Sequence, residues 1–383
     1  MRTNGFALYR GEDAGEVAAR AAGRVKRYSK KVLLGGDGEF TESGGARPSR
    51  RKEVWLAYWL EGKGLPVVHG FHPEGVTGEY SLAGGWDGEP LERDPLGTRG
   101  LWTHGRSVAS DYRLLAPGAR LVAPKRRPRA KKVGMGFDRA AERLASLVQE
   151  SVSMRVKGER RVAVSFSGGL DSSMVALAAS KVTEVVLCSA FAAGSRDETQ
   201  AERAAGLLGL RLETATLDAA SVARSAKGAE LPPGERTTMD VALWSIYSAT
   251  SSLARRAGAT TILLGQLADE LFGGYMKYAL KGREDAGAAE RMMEGDVRAC
   301  ADYGLLRDEA ACSSSCEVRF PFADVKIADF AMGLPFEFKV RDGERKAVLR
   351  EAARQMGLPD ELAQAPKKAA QFSSGVAKLV KAA

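Results

Sequence analysis

The chain has 383 residues, 44% of them hydrophobic, and a formal charge of +9 at pH 7, which is enough material for two domains that each bury a core. Four scattered cysteines (Cys188, Cys300, Cys312, Cys316) include no Cys-x-x-Cys pair and support neither a disulfide framework nor a zinc knuckle. No apolar run approaches the roughly 20 residues of a membrane span and the N-terminus lacks an apolar signal core, so a cytoplasmic protein is expected.

Residues 1–124 are Gly-rich and short on helical periodicity, with strand-like pieces at 54–60 and 121–123, and read as a β-rich domain. A basic run follows, in which Lys125, Arg126, Arg127, Arg129, Lys131 and Lys132 are broken only by Pro128 and Ala130. It reads as a solvated linker over 125–134, with contact to RNA or another polyanion as the alternative. From 135 to 383 the pattern changes. Helices are expected at 137–152, 172–181, 198–208 and 241–257, and strands at 161–166, 185–191, 212–217 and 261–264. Short apolar strands alternating with amphipathic helices predict a doubly wound parallel sheet, and from about 270 the chain is largely helical.

The first such strand ends in Ser165-Phe166 and runs into Ser167-Gly168-Gly169-Leu170-Asp171-Ser172-Ser173, after which a helix begins. Strand, glycine turn, helix is an arrangement that aims unsatisfied backbone N–H groups at an anion. Gly168 and Gly169 permit close approach to a phosphate, and the hydroxyls of Ser167, Ser172 and Ser173 add donors. Asp171 makes sense beside a phosphate when a magnesium ion lies between them. The segment is neither a Walker loop nor a dinucleotide fingerprint. It resembles the pyrophosphate loop of the N-type ATP pyrophosphatases, which implies cleavage of ATP between its α- and β-phosphates.

A second strand, at 261–264, leads through Gly265 to Asp269-Glu270-Leu271-Phe272-Gly273-Gly274-Tyr275. Its paired acids open a helix at the carboxyl edge of the sheet, where Asp269 can share a magnesium site with Asp171. This segment resembles the Asp-Glu-Leu-Phe-Gly-Gly-Tyr stretch in the synthetase domain of asparagine synthetase. The resemblance continues in family order with Ser195 and Asp197, then Glu317-Val318-Arg319-Phe320-Pro321-Phe322, then Lys346 to Glu351. It ends with Leu358-Pro359 and Pro366-Lys367-Lys368, so that it spans about 160–375.

That resemblance implies a two-step reaction. A carboxylate of aspartate, or of a related acid, attacks the α-phosphate of ATP to give an acyl-adenylate and pyrophosphate, and an amine then displaces AMP. The implied roles are magnesium binding by Asp171 and Asp269, and ATP or pyrophosphate binding by Ser165, the residues Ser167 to Ser173, and Gly265. Ser195, Asp197, Glu270, Tyr275 and Arg319 fall in the substrate and nucleotide vicinity. Glu317 is implied to accept a proton from the amine. Lys346 and Lys368, with Lys367 as substitute, would neutralise developing charge. Read without the resemblance, Glu317 and Arg319 form a buried ion pair, the Lys367-Lys368 pair a solvated face, and Asp324 a helix cap.

The N-terminal half is similar to class II glutamine amidotransferase domains, of αββα type, through Arg93-Asp94-Pro95-Leu96-Gly97 and Ser110-Asp111. Such a glutaminase needs an N-terminal cysteine, yet no cysteine precedes Cys188. A degenerate scaffold is therefore expected over 1–124, with free ammonia or a separate glutaminase supplying nitrogen and a homodimer among the possible assemblies. Asparagine synthesis is the leading reading. A β-lactam synthetase-like ligase and an RNA-modifying ATP pyrophosphatase stay open as alternatives.

Overall fold

A computed structural model of the chain describes residues 2–3, 5–10, 31–36, 39–42, 53–59, 68–71, 79–83, 91–94, 96, 98–104, 107–110, 119–123, 128, 132–233, 236–365 and 373–382. The chain divides into two compact units, Met1–Arg127 with Ser313–Glu317, and Pro128–Cys312 with Val318–Ala383.

The described residues of the first unit form two sheets. One joins β1 (Arg2–Thr3), β6 (Val68–Phe71), β7 (Glu79–Ala83) and β8 (Leu91–Arg93) in that order. The other is built from β2 (Gly5–Arg10), β3 (Lys31–Gly36), β4 (Glu39–Glu42), β5 (Glu53–Trp59), β9 (Trp102–His104), β10 (Ser107–Ala109) and β11 (Arg120–Leu121). Its order is β11-β9-β10-β2-β5-β3-β4. Strand β5 falls on the stretch expected at 54–60, while β11 is shorter and earlier than the strand expected at 121–123. The helical layers of an αββα arrangement are not among the described residues. The Arg93 to Arg99 segment has a local structural cause: Asp94 Oδ1 accepts from the N–H groups of Leu96 and Thr98, both at 3.1 Å, and Arg93 Nε donates to Arg99 O at 2.7 Å. An aspartate that ties its own turn needs this spacing whatever the domain does.

The second unit is an α/β domain. Helix α1 (Phe137–Val156) leads into β12 (Arg161–Ser165), α2 (Leu170–Ser180), β13 (Glu184–Ala192), α3 (Arg196–Leu208) and β14 (Arg211–Leu217). Then follow α4 (Ala219–Lys227), α5 (Thr238–Arg256), β15 (Thr261–Leu263) and α6 (Ala268–Phe272). The expected helices and strands are all present, most of them a residue or more longer. Helix α4 was not foreseen. It is one short amphipathic piece that buries only Val222 and starts from a reciprocal cap between Asp218 and Ser221.

Strand order in the sheet is β14-β13-β12-β15-β16, with β12, β13, β14 and β15 parallel and β16 (Glu317–Arg319) at the edge. The apolar runs of β12 and β13 are buried along nearly their whole length, as a sheet covered by helices requires. From β12 the chain steps outward to β13 and β14, then returns to lay β15 on the other flank of β12. The order therefore reverses between β12 and β15, and at such a switch point the loops after the two strands diverge and leave a crevice. These loops are the two segments singled out in the sequence.

Beyond β15 the unit is mainly helical, as expected: α7 (Met276–Glu284), α8 (Ala286–Ala299), α9 (Leu305–Cys312), α10 (Val325–Gly333), α11 (Phe336–Lys339), α12 (Ala347–Gln355), α13 (Asp360–Ala363) and α14 (Val376–Ala382). A small hairpin, β17 (Val340–Arg341) with β18 (Glu344–Arg345), precedes α12. Among the described residues no helix is long and apolar enough to cross a membrane.

Candidate active site

The loop after β12 is shaped by Gly168 and capped by Gly169. Gly168 has φ of +69°, and a Cβ on it would meet Gln200 O at 2.6 Å, so glycine is required by both conformation and space. Gln200 Nε2 in turn donates to Gly168 O at 3.1 Å. Gly169 caps α2 without a side-chain bond, leaving the first N–H groups of the helix turned toward the crevice. Ser167 Oγ accepts from Gly169 N at 3.3 Å, and Ser172 Oγ donates to Gly169 O at 3.2 Å. The loop is thus held open by its own serines. The helix dipole adds positive potential at the same point.

Two acidic residues and one lysine meet in front of this loop. Lys346 Nζ lies 2.7 Å from Asp171 Oδ1 and 2.7 Å from Asp269 Oδ1. The lysine is 1% exposed. Two of the elements that bring these side chains together begin at left-handed residues that are not glycine: Leu267 (φ 76°) caps α6 just ahead of Asp269, and Lys346 itself (φ 60°) caps α12. Each such conformation costs roughly 1–3 kcal/mol and is kept where a site needs it. Gly274 completes the fit, because a Cβ there would come within 1.9 Å of Asp269 Oδ1 and 2.5 Å of Lys346 Cε.

Two carboxylates converging on one cation form a donor set suited to magnesium, which is commonly held by one or two carboxylates and completed by substrate phosphates and water. No cluster of three or more acidic, histidine or cysteine ligands occurs among the described residues. Asp171 and Asp269 are therefore the pair that would hold such an ion.

Two small adjoining cavities share Ser167, Asp171, Ser172 and Asp197. The first, about 50 Å³, is also bounded by Gly169, Gln200, Lys346 and Arg350, a wall of N–H, amide, ammonium and guanidinium donors. The second, about 100 Å³, runs from Ser165 and Gly265 to Phe191, Ile246, Tyr247 and Thr250. The first is rich in donors suited to an anion, and the second sets Phe191, Ile246 and Tyr247 among hydroxyls and the carboxylates of Asp171, Asp197 and Asp269.

Arg350, Gln200 and Gln266 were not foreseen. Arg350 stands one turn after Lys346 on α12 and is fixed by donating to Ala363 O at 2.6 Å and to Ala365 O at 3.2 Å. The i, i+4 spacing of Lys346 and Arg350 was the available signal. Gln266 is held by a buried chain. Its amide donates to Asp308, Arg307 Nε donates to Asp308 Oδ1 at 2.8 Å, and Arg307 Nη1 to Asp240 Oδ1 at 2.9 Å. Burial raises the carboxyl of Asp308 above the ordinary carboxylate range, while Arg307 and Gln266 oppose the shift.

The other residues named from sequence are placed as follows. Leu170 borders the first cavity, whereas Ser173 is fully buried and borders neither. Asp197 is buried and borders both, and Ser195 caps α3 just ahead of it. Glu270 accepts from Tyr275 Oη at 2.7 Å and is raised to about 7, first by burial and then by Asp269. Neither Glu270 nor Tyr275 borders the two cavities. Glu317 faces Arg99 at 3.7 Å, and Arg319 Nη2 donates to Glu159 at 2.8 Å. Glu159 precedes the amino end of β12, so Arg319 is a strut there rather than a wall of either cavity. Asp324 caps α10 by accepting from Lys326 N at 2.9 Å and pairs with Arg155 at 3.0 Å. Lys367 and Lys368 lie outside the described residues.

The crevice, the glycine-turned anion loop and the converging carboxylates define an α/β domain of the nucleotide-phosphate-binding kind. Residues 143–289 and 279–382 match the asparagine synthase family, and the chain belongs to that family. A putative asparagine synthetase [glutamine-hydrolyzing] 1 from Methanocaldococcus jannaschii is 29% identical over 281 residues, 64% of this chain and 51% of that protein. The asparagine synthetase [glutamine-hydrolyzing] of Gallus gallus is 25% identical over 65% of this chain and 46% of its own length. That of Bos taurus is 25% identical over 91% of this chain and 62% of its own. The chain thus spans about half the length of the first two relatives.

Proposed function

We propose that this chain makes an amide in two steps, activating the side-chain carboxylate of aspartate with ATP and passing the acyl group to ammonia. The observation that carries the reading is the convergence of Asp171, Asp269 and Lys346 on one point in front of the Ser167 to Ser173 loop. In the first step the aspartate oxygen attacks the α-phosphorus, the bond to the bridging oxygen of the β-phosphate breaks, and pyrophosphate leaves as β-aspartyl-AMP forms. The N–H groups of the loop and the hydroxyls of Ser167 and Ser172 receive the pyrophosphate oxygens. Lys346 and Arg350 face the charge that builds there, and the end of the crevice around Phe191, Ile246 and Tyr247 receives the adenosine. Bound magnesium would screen the phosphate charges beside Asp171 and Asp269.

In the second step ammonia adds to the acyl carbon, Glu317 accepts the proton it sheds, and AMP departs to leave asparagine. Lys367 or Lys368 neutralises the acyl oxygen during that addition. Free ammonia is the amine donor in this reading.

The reading is tested by incubating the protein with ATP, magnesium chloride and ammonium chloride and adding candidate carboxylates singly. Aspartate-dependent AMP and pyrophosphate are expected. AMP formed only with another acid would move the substrate and keep the chemistry, ADP would overturn the class, and turnover with glutamine alone would overturn the donor.

A further inference from the structure

The largest of the described cavities borders neither phosphate loop nor adenosine end. It holds about 490 Å³, within the range of small-molecule sites, between α8, the loop joining α10 to α11, and the face of α6 opposite Asp269. Its charged lining is unusual. Lys339, 3% exposed, is bonded by no hydrogen bond or ion pair among the described residues. Glu290 and Glu294, one turn apart on α8, border the same space, likewise without a hydrogen bond or ion pair. Leu271, Met293, Val297 and Met332 supply an apolar floor. Lys132, the last cation of the basic run, is exposed at the same cavity, where Val133 N is tied to Gly333 O at 3.0 Å.

A lysine side chain buried to this degree without a hydrogen-bond acceptor is costly, and the half-buried carboxylates of Glu290 and Glu294 in the same cavity form no ion pair with it. A simple cation would satisfy the glutamates and be repelled by Lys339. A phosphate or fatty acid would satisfy Lys339 and be repelled by the glutamates. One kind of small molecule answers both walls and the floor.

We propose that this cavity binds a free α-amino acid with an apolar side chain, its carboxylate on Lys339, its ammonium at Glu290 and Glu294, and its side chain on Met293, Val297 and Leu271. The site does not depend on the ligase chemistry proposed above. It sits against the same short helix that carries Asp269, since Glu270 and Leu271 border this cavity and Asp269 borders the other. Burial alone drives the Lys339 ammonium down to about 8, with Glu290 and Glu294 opposing the shift. A bound carboxylate would restore its charge.

Titration calorimetry of the full chain with L-leucine tests the proposal, alongside 4-methylpentanoate, which lacks the ammonium, and isoamylamine, which lacks the carboxylate. Saturable binding of L-leucine is expected below about 10 mM, with both truncated analogues at least about tenfold weaker. Lys339→Met and Glu294→Gln, each checked for native circular dichroism, should each weaken L-leucine by about tenfold or more, while Asp171→Ala should leave it unchanged. No heat from L-leucine, L-methionine or L-valine overturns the proposal, as does binding indifferent to both Lys339→Met and Glu294→Gln. Loss of binding in Asp171→Ala would place the ligand at the phosphate loop instead. Binding of L-aspartate in preference to L-leucine would overturn the apolar assignment.

Discussion

Lys346 Nζ stands 2.7 Å from one carboxylate oxygen of Asp171 and 2.7 Å from one of Asp269, so a single ammonium occupies the point where the two acids meet. A divalent cation held by Asp171 and Asp269 would compete with the lysine for the same oxygens and would free it toward the phosphate. Lys346→Met should lower AMP formation by about two orders of magnitude, the scale of losing one charge stabiliser at a reacting centre. It should also make magnesium chloride raise the melting temperature more in the variant than in the wild type, because the competitor is gone. An equal magnesium effect in both proteins would show that the lysine and the ion do not share these oxygens.

Gly274 reports on the same cluster by sterics alone. The added carbon of Gly274→Ala would overlap Asp269 Oδ1 and Lys346 Cε, so AMP formation should fall at least about tenfold while the circular dichroism stays native. Full activity in this variant would mean that the cluster tolerates displacement.

The Asp240, Arg307, Asp308 and Gln266 chain is buried and internally matched. Asp308→Ala leaves Arg307, which is 4% exposed, with Asp240 as its remaining carboxylate partner, and should cost about 3 kcal/mol, read as a shift of the urea midpoint. Asp308→Asn keeps the volume and an acceptor and should cost less. Equal losses in the two variants would show that packing, rather than charge pairing, holds Gln266.

Lys339 makes stability depend on pH in a defined direction. Its value of about 8 lies below the ordinary 10.5, so between those values the unfolded chain holds more protons than the folded one, and stability rises as pH climbs through that window. Below pH 8 the cost of the buried charge is fully present. Lys339→Met should thus be more stable than wild type near pH 7, by a few kcal/mol at most given about 1.4 kcal/mol per pH unit, and the gap should narrow through that window and close only above 10.5. Denaturant melts at pH 7, 8.5 and 10 measure this. Glu270, Glu290, Glu294 and Lys132 face the same cavity, and Glu290 and Glu294 oppose the fall of the Lys339 value.

How far the sequence reaches is visible residue by residue. The Ser167 to Ser173 loop and the Asp269 to Tyr275 turn are legible because their chemistry demands particular residue types at fixed local spacing, and the helices and strands around them because their apolar periodicity is local. Strand β16 is three residues long and gains its meaning only from pairing beside β15, so nothing near it in the chain announces an edge strand. Arg319 shows the same limit: its partner Glu159 is distant in sequence, and the motif that carries Arg319 reads like a site when its side chain is a strut. Lys339 and Glu294 lie on separate helices, and the cavity between them exists only after α8 and α11 have packed.

The most direct test of the account is the nucleotide product formed from ATP, magnesium chloride, ammonium chloride and L-aspartate, compared between the wild-type chain and Asp171→Ala. The account predicts AMP and pyrophosphate in equal amounts, dependent on L-aspartate and abolished in the variant. ADP and orthophosphate, or AMP formation that survives in Asp171→Ala, would contradict it.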